Sequence, residues 1–345
     1  MKNQILAVPL TAALIALSTH PLPLNAATNT ANQWIEANER VKEAGGWKAY
    51  AREISASQGV SQQTAETRRP VLSLEAALQR AQLLDPSIAQ SLGNISRDLN
   101  AYPTLSDAQR SALGREARLR AEVQTLYFTA VAANERLRYQ LQVVETASVA
   151  SELANRMQKV GNLNRLHQSE EALSLAETEK GLSGARIQAE AAKEQLIQRL
   201  QLVGDEASFS LPERLPPLPA ASGPPAISKV DSLLIASIAS TPSQIKAQSE
   251  TRQALHARDE AFRIAAHYRD TVLPLQKKIS EEHLLHYNGM IIGIFELLKD
   301  AKKQVHAVQS NLDALRSYWL AEAALSPKLF ALREELLTSR RDAWK

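Results

Sequence analysis

Three long segments of this chain carry apolar residues at alternating intervals of three and four positions. Such spacing lines up one apolar stripe along an α-helix, and that stripe must pack against another helix. The composition agrees, because the 345 residues include 12 glycines and are 5% aromatic, less than an all-β or α/β chain normally uses. We therefore predict an all-α fold of long antiparallel helical hairpins and coiled coils. The three stripes are Leu119, Val123, Leu126, Ala130, Ala133 and Leu137; Leu182, Ala185, Ala189, Ala192, Leu196 and Val203; and Leu298, Ala301, Val305, Val308, Leu312, Leu315 and Trp319.

Two breaks interrupt these helices. The first long helix is predicted over about Asp107 to Val160 and is followed by Gly161, and a similar break lies near Gly289. The order of elements also repeats, since "VLSLEAALQRAQLLDPSIAQS" (71–91) and "VDSLLIASIASTPSQIKAQS" (230–249) both read as a helix, then Pro-Ser, then a new helix. We interpret the breaks as the tips of two hairpins in a tandem duplication. Pro274 lies inside a helical pattern, where it should kink the helix without ending it.

Composition divides the chain into six segments. Lys2, an apolar run and the small residues Ala26 and Ala27 are typical of a signal peptide. Six prolines between Gly204 and Ser228 indicate an extended linker, since proline lacks an amide donor and fixes its own backbone angle. The predicted segments are a signal peptide (1–27), an N-terminal arm (28–70), a first helical repeat (71–203), the Pro-rich linker (204–228), a second helical repeat (229–326) and a C-terminal tail (327–345).

The sequence offers few of the residue groupings that chemistry requires. It has no cysteine, which excludes disulfides and thiolate metal sites. It has no HExxH, GxSxG or phosphate-binding glycine loop, so we expect neither an enzyme nor a cofactor. His283 and His286, with Glu282, lie on one helix face but are too few to assign a metal site. The same objection applies to His256 and His267.

Charge and hydropathy limit the partners. The 40 basic and 37 acidic side chains give a net charge of +3, and their interspersed order gives no reason to expect nucleic-acid binding. Beyond the signal peptide, no segment approaches the apolar length of a transmembrane helix. We therefore expect the exported chain to be soluble.

Local motifs match a known family in their order along the chain. They are "SLEAALQRAQLLDPSI", "LYFTAVAANERL", "YRDTVLPL", and "HYNGMIIGIFELLKDAKKQ" followed by "YWLAEAAL". Together with the duplication and the Pro-rich linker, they resemble the TolC-like outer-membrane efflux family over most of residues 71–326. The last motif resembles a subgroup found with heavy-metal and copper efflux systems. The resemblance implies a TolC-like α-barrel protomer in a homotrimer, docked on a periplasmic adaptor (membrane fusion) protein and through it on an inner-membrane pump.

The chain departs from the family where the resemblance implies two membrane β-hairpins per protomer. About twenty residues separate Leu92 from Leu113, and the interval from Pro242 to Tyr268 reads as unbroken helix. A membrane strand needs roughly 9–11 residues of alternating polarity, and neither interval supplies a pair of strands. We therefore expect a chain without both membrane β-hairpins. Its expected location is the periplasm, peripheral to the outer membrane, with the outer membrane itself as the alternative.

The hairpin tips are the candidate partner-binding sites. Glycine and asparagine at such breaks tolerate the left-handed backbone of a helix end, while an exposed apolar tip normally needs a partner. The expected function is transport of metal ions or small toxic compounds in a tripartite efflux system. The alternatives are a soluble periplasmic coiled-coil scaffold or binding protein outside any export path, and a decayed remnant that folds poorly. The tip residues are Gly161, Asn162 and Leu163 in the first half and Tyr287, Asn288, Gly289, Met290, Ile291, Ile292 and Gly293 in the second.

Overall fold

A computed structural model of the chain describes residues 70–92, 105–220, 223–227, 229–239 and 241–342. The predicted signal peptide and N-terminal arm lie outside the described residues, apart from Pro70 at the end of the arm. The described part belongs to one compact unit, Arg69–Lys345. Within it the backbone is α-helical apart from turns and connections, and its β-type contact is an isolated parallel bridge between Val71 and Ser210. The all-α prediction is confirmed.

The first half consists of two short helices followed by a long hairpin. Ser73 caps the first short helix by accepting a hydrogen bond from the Ala76 amide. The long helix starts at Asp107 as predicted, because Ser106 and Gln109 form a reciprocal capping box in front of it. The four helices are α1 (Leu74–Leu83), α2 (Pro86–Leu92), α3 (Asp107–Lys159) and α4 (Arg165–Leu200).

The second half has one short helix before its long hairpin, because the segment that corresponds to α2 begins the long arm itself. A capping box between Thr241 and Gln244 starts its long arm, with Pro242 at the first helical position. The helices are α5 (Lys229–Ala236), α6 (Pro242–His267), a turn of π-helix (Tyr268–Val272), α7 (Leu273–Asn288) and α8 (Ile294–Asp342). The interval from Pro242 to Tyr268 is therefore helical, as predicted. The corresponding interval of the first half includes residues 93–104, which lie outside the described residues.

The long arm continues past Pro274, as predicted, and a π-helical turn accompanies the proline. The π-helical turn lies immediately before it, and the Leu273 amide reaches back five residues to the Tyr268 carbonyl. Proline has no amide hydrogen, and its ring collides with the carbonyl four residues earlier, here that of Asp270. A π-turn moves this carbonyl aside, so that the helix continues through α7 to the tip.

The last helix does not end where the second repeat was predicted to end. Helix α8 runs through position 326 and on to Asp342, with Pro327 inside it. Its later turns pack on α6, where Gln244 donates to the Glu335 carbonyl and Thr251 to the Lys328 carbonyl. Leu325 and Leu332 are also buried in this part of α8, so apolar packing and these hydrogen bonds together extend the helix beyond the predicted boundary.

The two hairpins pack against each other through their longest helices. Helix α3 lies between α4 and α8, while α6 and α7 pack on α8. Val123 on α3, Leu196 on α4 and Tyr318 on α8 are fully buried at these contacts. Phe128 and Trp319 bring the halves together, with ring centroids 5.4 Å apart.

The apolar stripes are buried to different extents. Leu182, Ala185, Ala189, Ala192 and Leu196 of the second stripe are buried as predicted, but Val203 is 73% exposed. The prediction for Val203 is wrong because Gln201 adopts a left-handed conformation (φ 49°) and ends the helix before it. In the third stripe Leu312 is buried and the other members are half-buried, with Leu315 and Trp319 packed against buried core residues.

The Pro-rich linker is packed on the long helices. Phe209, Leu215 and Leu218 are buried. The Leu215 amide donates to a Glu135 carboxylate oxygen at 3.0 Å, and the Trp319 indole donates to the Pro216 carbonyl at 2.9 Å. The extended linker therefore ties α3 to α8 across the contact between the halves.

A buried ion pair fixes the short helix α5 to the end of α8. Asp231 and Arg333 are both about 5% exposed, and the Arg333 guanidinium donates through Nε at 2.9 Å and through Nη2 to the same carboxylate oxygen. Removing one partner of such a pair leaves an uncompensated charge in a dry environment.

We expect D231A to lower the free energy of unfolding by about 3–5 kcal/mol, because Arg333 would remain buried without its carboxylate. Urea unfolding followed by circular dichroism measures this loss. The exposed pair formed by Lys328 and Glu250, at 2.6 Å, provides the control, and E250A should leave the midpoint nearly unchanged. Equal effects of the two substitutions would contradict a special role for the buried pair.

A second cluster of charged side chains, formed by Arg258, Asp259 and Glu322, lies between α6 and α8. Burial raises the pKa of the Glu322 carboxyl, and the neighbouring Arg258 opposes the rise. Arg258 is 3.9 Å from Glu322 but donates its two hydrogen bonds to Asp259. Burial also raises the pKa of Tyr318 to about 12. Charge on Glu322 is therefore poorly compensated in the folded state.

We expect E322Q to weaken the pH dependence of stability. A raised pKa means that the folded chain holds this proton more tightly than the unfolded chain, so the stabilisation is present below the ordinary value of 4.5 and is lost as pH rises through the folded value. Thermal melts between pH 4 and pH 8 measure this. E250Q is the control of opposite sign, because Lys328 lowers the pKa of Glu250.

Candidate functional site

The two predicted tips are turns of the same type. In the first, the Gly161 amide donates to the Gln158 carbonyl and the Asn162 amide to the Met157 carbonyl at 2.8 Å. In the second, Met290 donates to Tyr287 and Ile291 donates to His286, again at 2.8 Å. This pair of reverse bonds is the Schellman motif that closes helix ends. The tips therefore correspond position by position, with Gly161 equivalent to Met290 and Asn162 to Ile291.

The residue in the left-handed conformation differs between the tips. Gly161 has φ +78°, as predicted from turn chemistry, but Gly289 has φ −80° and Met290 has φ +57°. The expectation that glycine takes this conformation is thus confirmed at the first tip and wrong at the second. Methionine has a Cβ that clashes in this region, which costs roughly 1–2 kcal/mol relative to glycine's freedom there.

The residue before the returning helix also differs. At the first tip the Asn164 side chain caps α4 by accepting from the His167 amide at 2.7 Å. Gly293 occupies the corresponding position before Ile294 at the second tip and has no side chain that could cap α8. The first tip therefore has a side chain that caps its returning helix, and the second tip lacks one.

The second tip instead presents apolar side chains to solvent. Met290 and Ile291 are each 72% exposed, and Tyr287 is 37% exposed. At the first tip, Val160 before the turn and Leu166 after it are exposed, while the turn itself is formed by glycine and asparagine with Leu163 half-buried. The apolar character of the second tip lies in the turn residues themselves.

Contacts between α4 and α8 hold the two tips together. The rings of His167 and Phe295 meet edge to face with centroids 4.9 Å apart. Lys302 donates to the Ser174 hydroxyl at 2.9 Å and lies 3.9 Å from Glu171. Sequence reasoning did not identify these residues, because polar side chains beside a stripe carry no periodic signal until the partner helix is known.

His283 and His286 differ in their surroundings. His283 Nδ1 lies 3.1 Å from a carboxylate oxygen of Asp300, which is buried and also accepts from Gln276 at 3.2 Å. His286 is exposed. The part of the chain that the structure describes has no cluster of three or more histidine or carboxylate ligands suited to a metal ion.

Comparisons with known proteins identify the fold. No family model matches the chain, and no curated protein matches it. Several solved structures do match. A membrane protein from Pseudomonas aeruginosa aligns with a TM-score of 0.50 and 12% identity, over 74% of each chain. The CmeC outer membrane channel of Campylobacter jejuni aligns with a TM-score of 0.52 and 12% identity, over 65% of each chain.

A third structure is of CusC, described with the conformational changes that accompany its folding and transmembrane channel formation. It aligns with a TM-score of 0.50 and 12% identity, over 74% of this chain and 96% of CusC. The chain therefore has the helical-hairpin fold of TolC-like outer-membrane channels. In the described ranges, no helix combines the length and apolarity that crossing a bilayer requires.

We expect M290G to raise the free energy of unfolding by up to about 1 kcal/mol, because glycine relieves the left-handed strain but adds backbone entropy to the unfolded chain. The reciprocal G161M should lower it by about 1–2 kcal/mol. No atom lies within 4 Å of the position that a Cβ would occupy at Gly161, so that loss would come from the backbone. Paired denaturation curves measure both changes. A less stable M290G together with a more stable G161M would contradict the strain at Met290.

Proposed function

We propose that this protein is a TolC-like component of a tripartite efflux system and that its hairpin tips dock a periplasmic adaptor protein. The adaptor would link it to an inner-membrane pump. The observation that carries the proposal is the second tip, where the turn of the first tip is kept but its favourable residues are replaced by exposed apolar ones.

The replacement makes the second tip a poorer turn and a better contact surface. Met290 stands where glycine would relieve strain, and Gly293 stands where asparagine would cap the helix. Fully burying a methionine or isoleucine side chain stabilises a complex by about 1.5–3 kcal/mol. That gain exceeds the local cost of the turn only if a partner covers Met290 and Ile291.

The remaining parts of the proposal follow the resemblance. We propose that three copies assemble and that the cargo is a metal ion or a small toxic compound, as in the heavy-metal and copper subgroup that "HYNGMIIGIFELLKDAKKQ" followed by "YWLAEAAL" resembles. The protein would act in the periplasm, peripheral to the outer membrane, and would catalyse no reaction. The Pseudomonas and Campylobacter structures support the efflux part of the proposal through the shared fold and through the description of CmeC as an outer membrane channel.

The docking proposal can be tested by giving the second tip the chemistry of the first. The variant M290G/I291N replaces Met-Ile by the Gly-Asn pair found at positions 161 and 162. The turn should form at least as well, while the apolar surface is lost. We expect binding of the purified adaptor to weaken tenfold or more, since each side chain contributes about 1.5–3 kcal/mol on burial. Efflux-dependent tolerance of cells should fall in parallel.

A photo-crosslinking amino acid at position 291 identifies the partner in living cells. We expect a covalent product that contains an adaptor, identified by mass spectrometry. The same amino acid at Ile238, which is also exposed and far along the chain from both tips, is the control. Unchanged adaptor binding by M290G/I291N would reject tip docking. Absence of any adaptor product, with normal tolerance in a deletion strain, would favour the scaffold interpretation.

A further inference from the structure

The methionines of this chain lie at its hairpin tips. Apart from Met1, in the predicted signal peptide, there are two, and the chain has no cysteine. Met157 belongs to the last turn of α3, where its carbonyl accepts from the Asn162 amide of the first tip. Met290 stands in the turn of the second tip itself. The sulfur atoms of the predicted mature chain are therefore found only at the tips.

The two thioethers differ in their access to solvent. Met157 is half-buried at the end of its helix, whereas Met290 is 72% exposed. Oxidation converts the flexible, apolar methionine side chain into a polar sulfoxide, and exposed sulfur is oxidised more readily than buried sulfur. In a chain without thiols, a soluble oxidant should therefore react first at Met290.

The second turn does not require methionine for its own stability. Its counterpart at the first tip is Gly161, and the same reverse hydrogen bonds form there. Met290 holds the left-handed conformation at φ +57°, which glycine adopts at lower cost. Leucine would offer a similar apolar surface, but it has no sulfur atom. Methionine thus brings to this position a chemistry that neither glycine nor leucine provides.

We propose that Met290 is a reversible oxidation site that controls docking at the second tip. This inference rests on the proposed function, because the adaptor contact is the event that is controlled. In the reduced state the thioether belongs to the apolar surface that Met290 forms with Ile291. In the oxidised state the same position carries a polar sulfoxide oxygen, and the contact is lost.

The modifying reagent is a two-electron oxygen donor such as hypochlorous acid. A lone pair of the Met290 sulfur attacks the oxygen atom, a sulfur–oxygen bond forms, and the oxygen–chlorine bond breaks. Chloride leaves with the bonding electron pair, and the hydroxyl proton passes to water. The sulfur is thereby oxidised by two electrons and the chlorine is reduced by two. The modification is reversible, since methionine sulfoxide reductases return each sulfoxide epimer to the thioether.

The sulfoxide weakens docking because its oxygen loses water when a partner covers it. An apolar pocket that accepts a thioether offers that oxygen no hydrogen bond, and burying an unpaired polar group is unfavourable. We expect the affinity for the adaptor to fall by roughly tenfold or more. Docking also shields the sulfur, so the modification acts on molecules that are not bound.

The first experiment measures where the folded chain is oxidised. Full-length protein is treated with a limiting amount of hypochlorous acid, and sulfoxide at Met290 and Met157 is quantified by peptide mass spectrometry. We expect Met290 to react at least about fivefold faster, because its side chain is exposed. In concentrated urea the two rates should become equal. Equal rates in the folded protein, or faster reaction of Met157, would overturn Met290 as the oxidation site.

The second experiment measures docking by a chain with one oxidisable methionine. In M157L the predicted mature chain retains Met290 alone, and the adaptor is the protein captured by crosslinking at position 291. We expect oxidised M157L, freed of oxidant, to bind this adaptor roughly tenfold or more weakly than reduced M157L. Treatment with methionine sulfoxide reductases should restore the affinity. The matched variant M290L should show the same affinity before and after the same dose, whatever its starting value.

The outcomes separate oxidative control from docking itself. If reduced M157L binds the adaptor and fully oxidised M157L binds it equally well, oxidative control is rejected and tip docking stands. An equal loss of affinity in oxidised M290L would also reject it, because the loss would then come from another residue. If the reduced wild-type chain binds no adaptor, tip docking is rejected, and oxidative control with it.

Discussion

The packing of α3 along α8 is the contact on which the rest of the structure depends. Helices of 53 and 49 residues gain most of their stability from tertiary contacts, because helix propensity alone contributes little. Phe128 and Trp319 join the halves at this contact, and the linker crosses it through hydrogen bonds from Leu215 and Trp319. The other elements attach to this pair: α4 covers the free side of α3, and α6 and α7 cover part of α8.

Helix starts and breaks that depend on periodicity and capping could be predicted from the sequence. Features that depend on a neighbouring helix or on another protein could not. The start of α3, the break at Gly161 and the continuation through Pro274 follow from local rules about caps, glycine and proline. Local rules also assign the left-handed turn of the second tip to a glycine, whereas the structure assigns it to Met290. The prediction for the second tip failed for a physical reason. Those rules describe the energy of an isolated turn, and they take no account of any function that the exposed Met290 side chain serves.

Long-range polar contacts could not be predicted for a related reason. Lys302, Asp300 and Arg333 look like ordinary helix-surface charges in the sequence, but each finds its partner on another helix. Val203 shows the opposite case, in which a residue fits the apolar pattern but lies beyond the end of its helix. Periodicity thus identifies which face of a helix is apolar, but it does not show where the helix stops or which charges its neighbours provide.

The two halves differ in how their hairpin arms are supported. Below the π-helical turn at Tyr268–Val272, helix α7 runs for 16 residues, about 24 Å, without a buried side chain of its own. Its contacts with α8 include the polar ones of Gln276 and His283 with Asp300, and the turn at Gly289 joins it to α8. Because this arm has no buried apolar side chain, its backbone amides should open to solvent exchange more readily than those of α3.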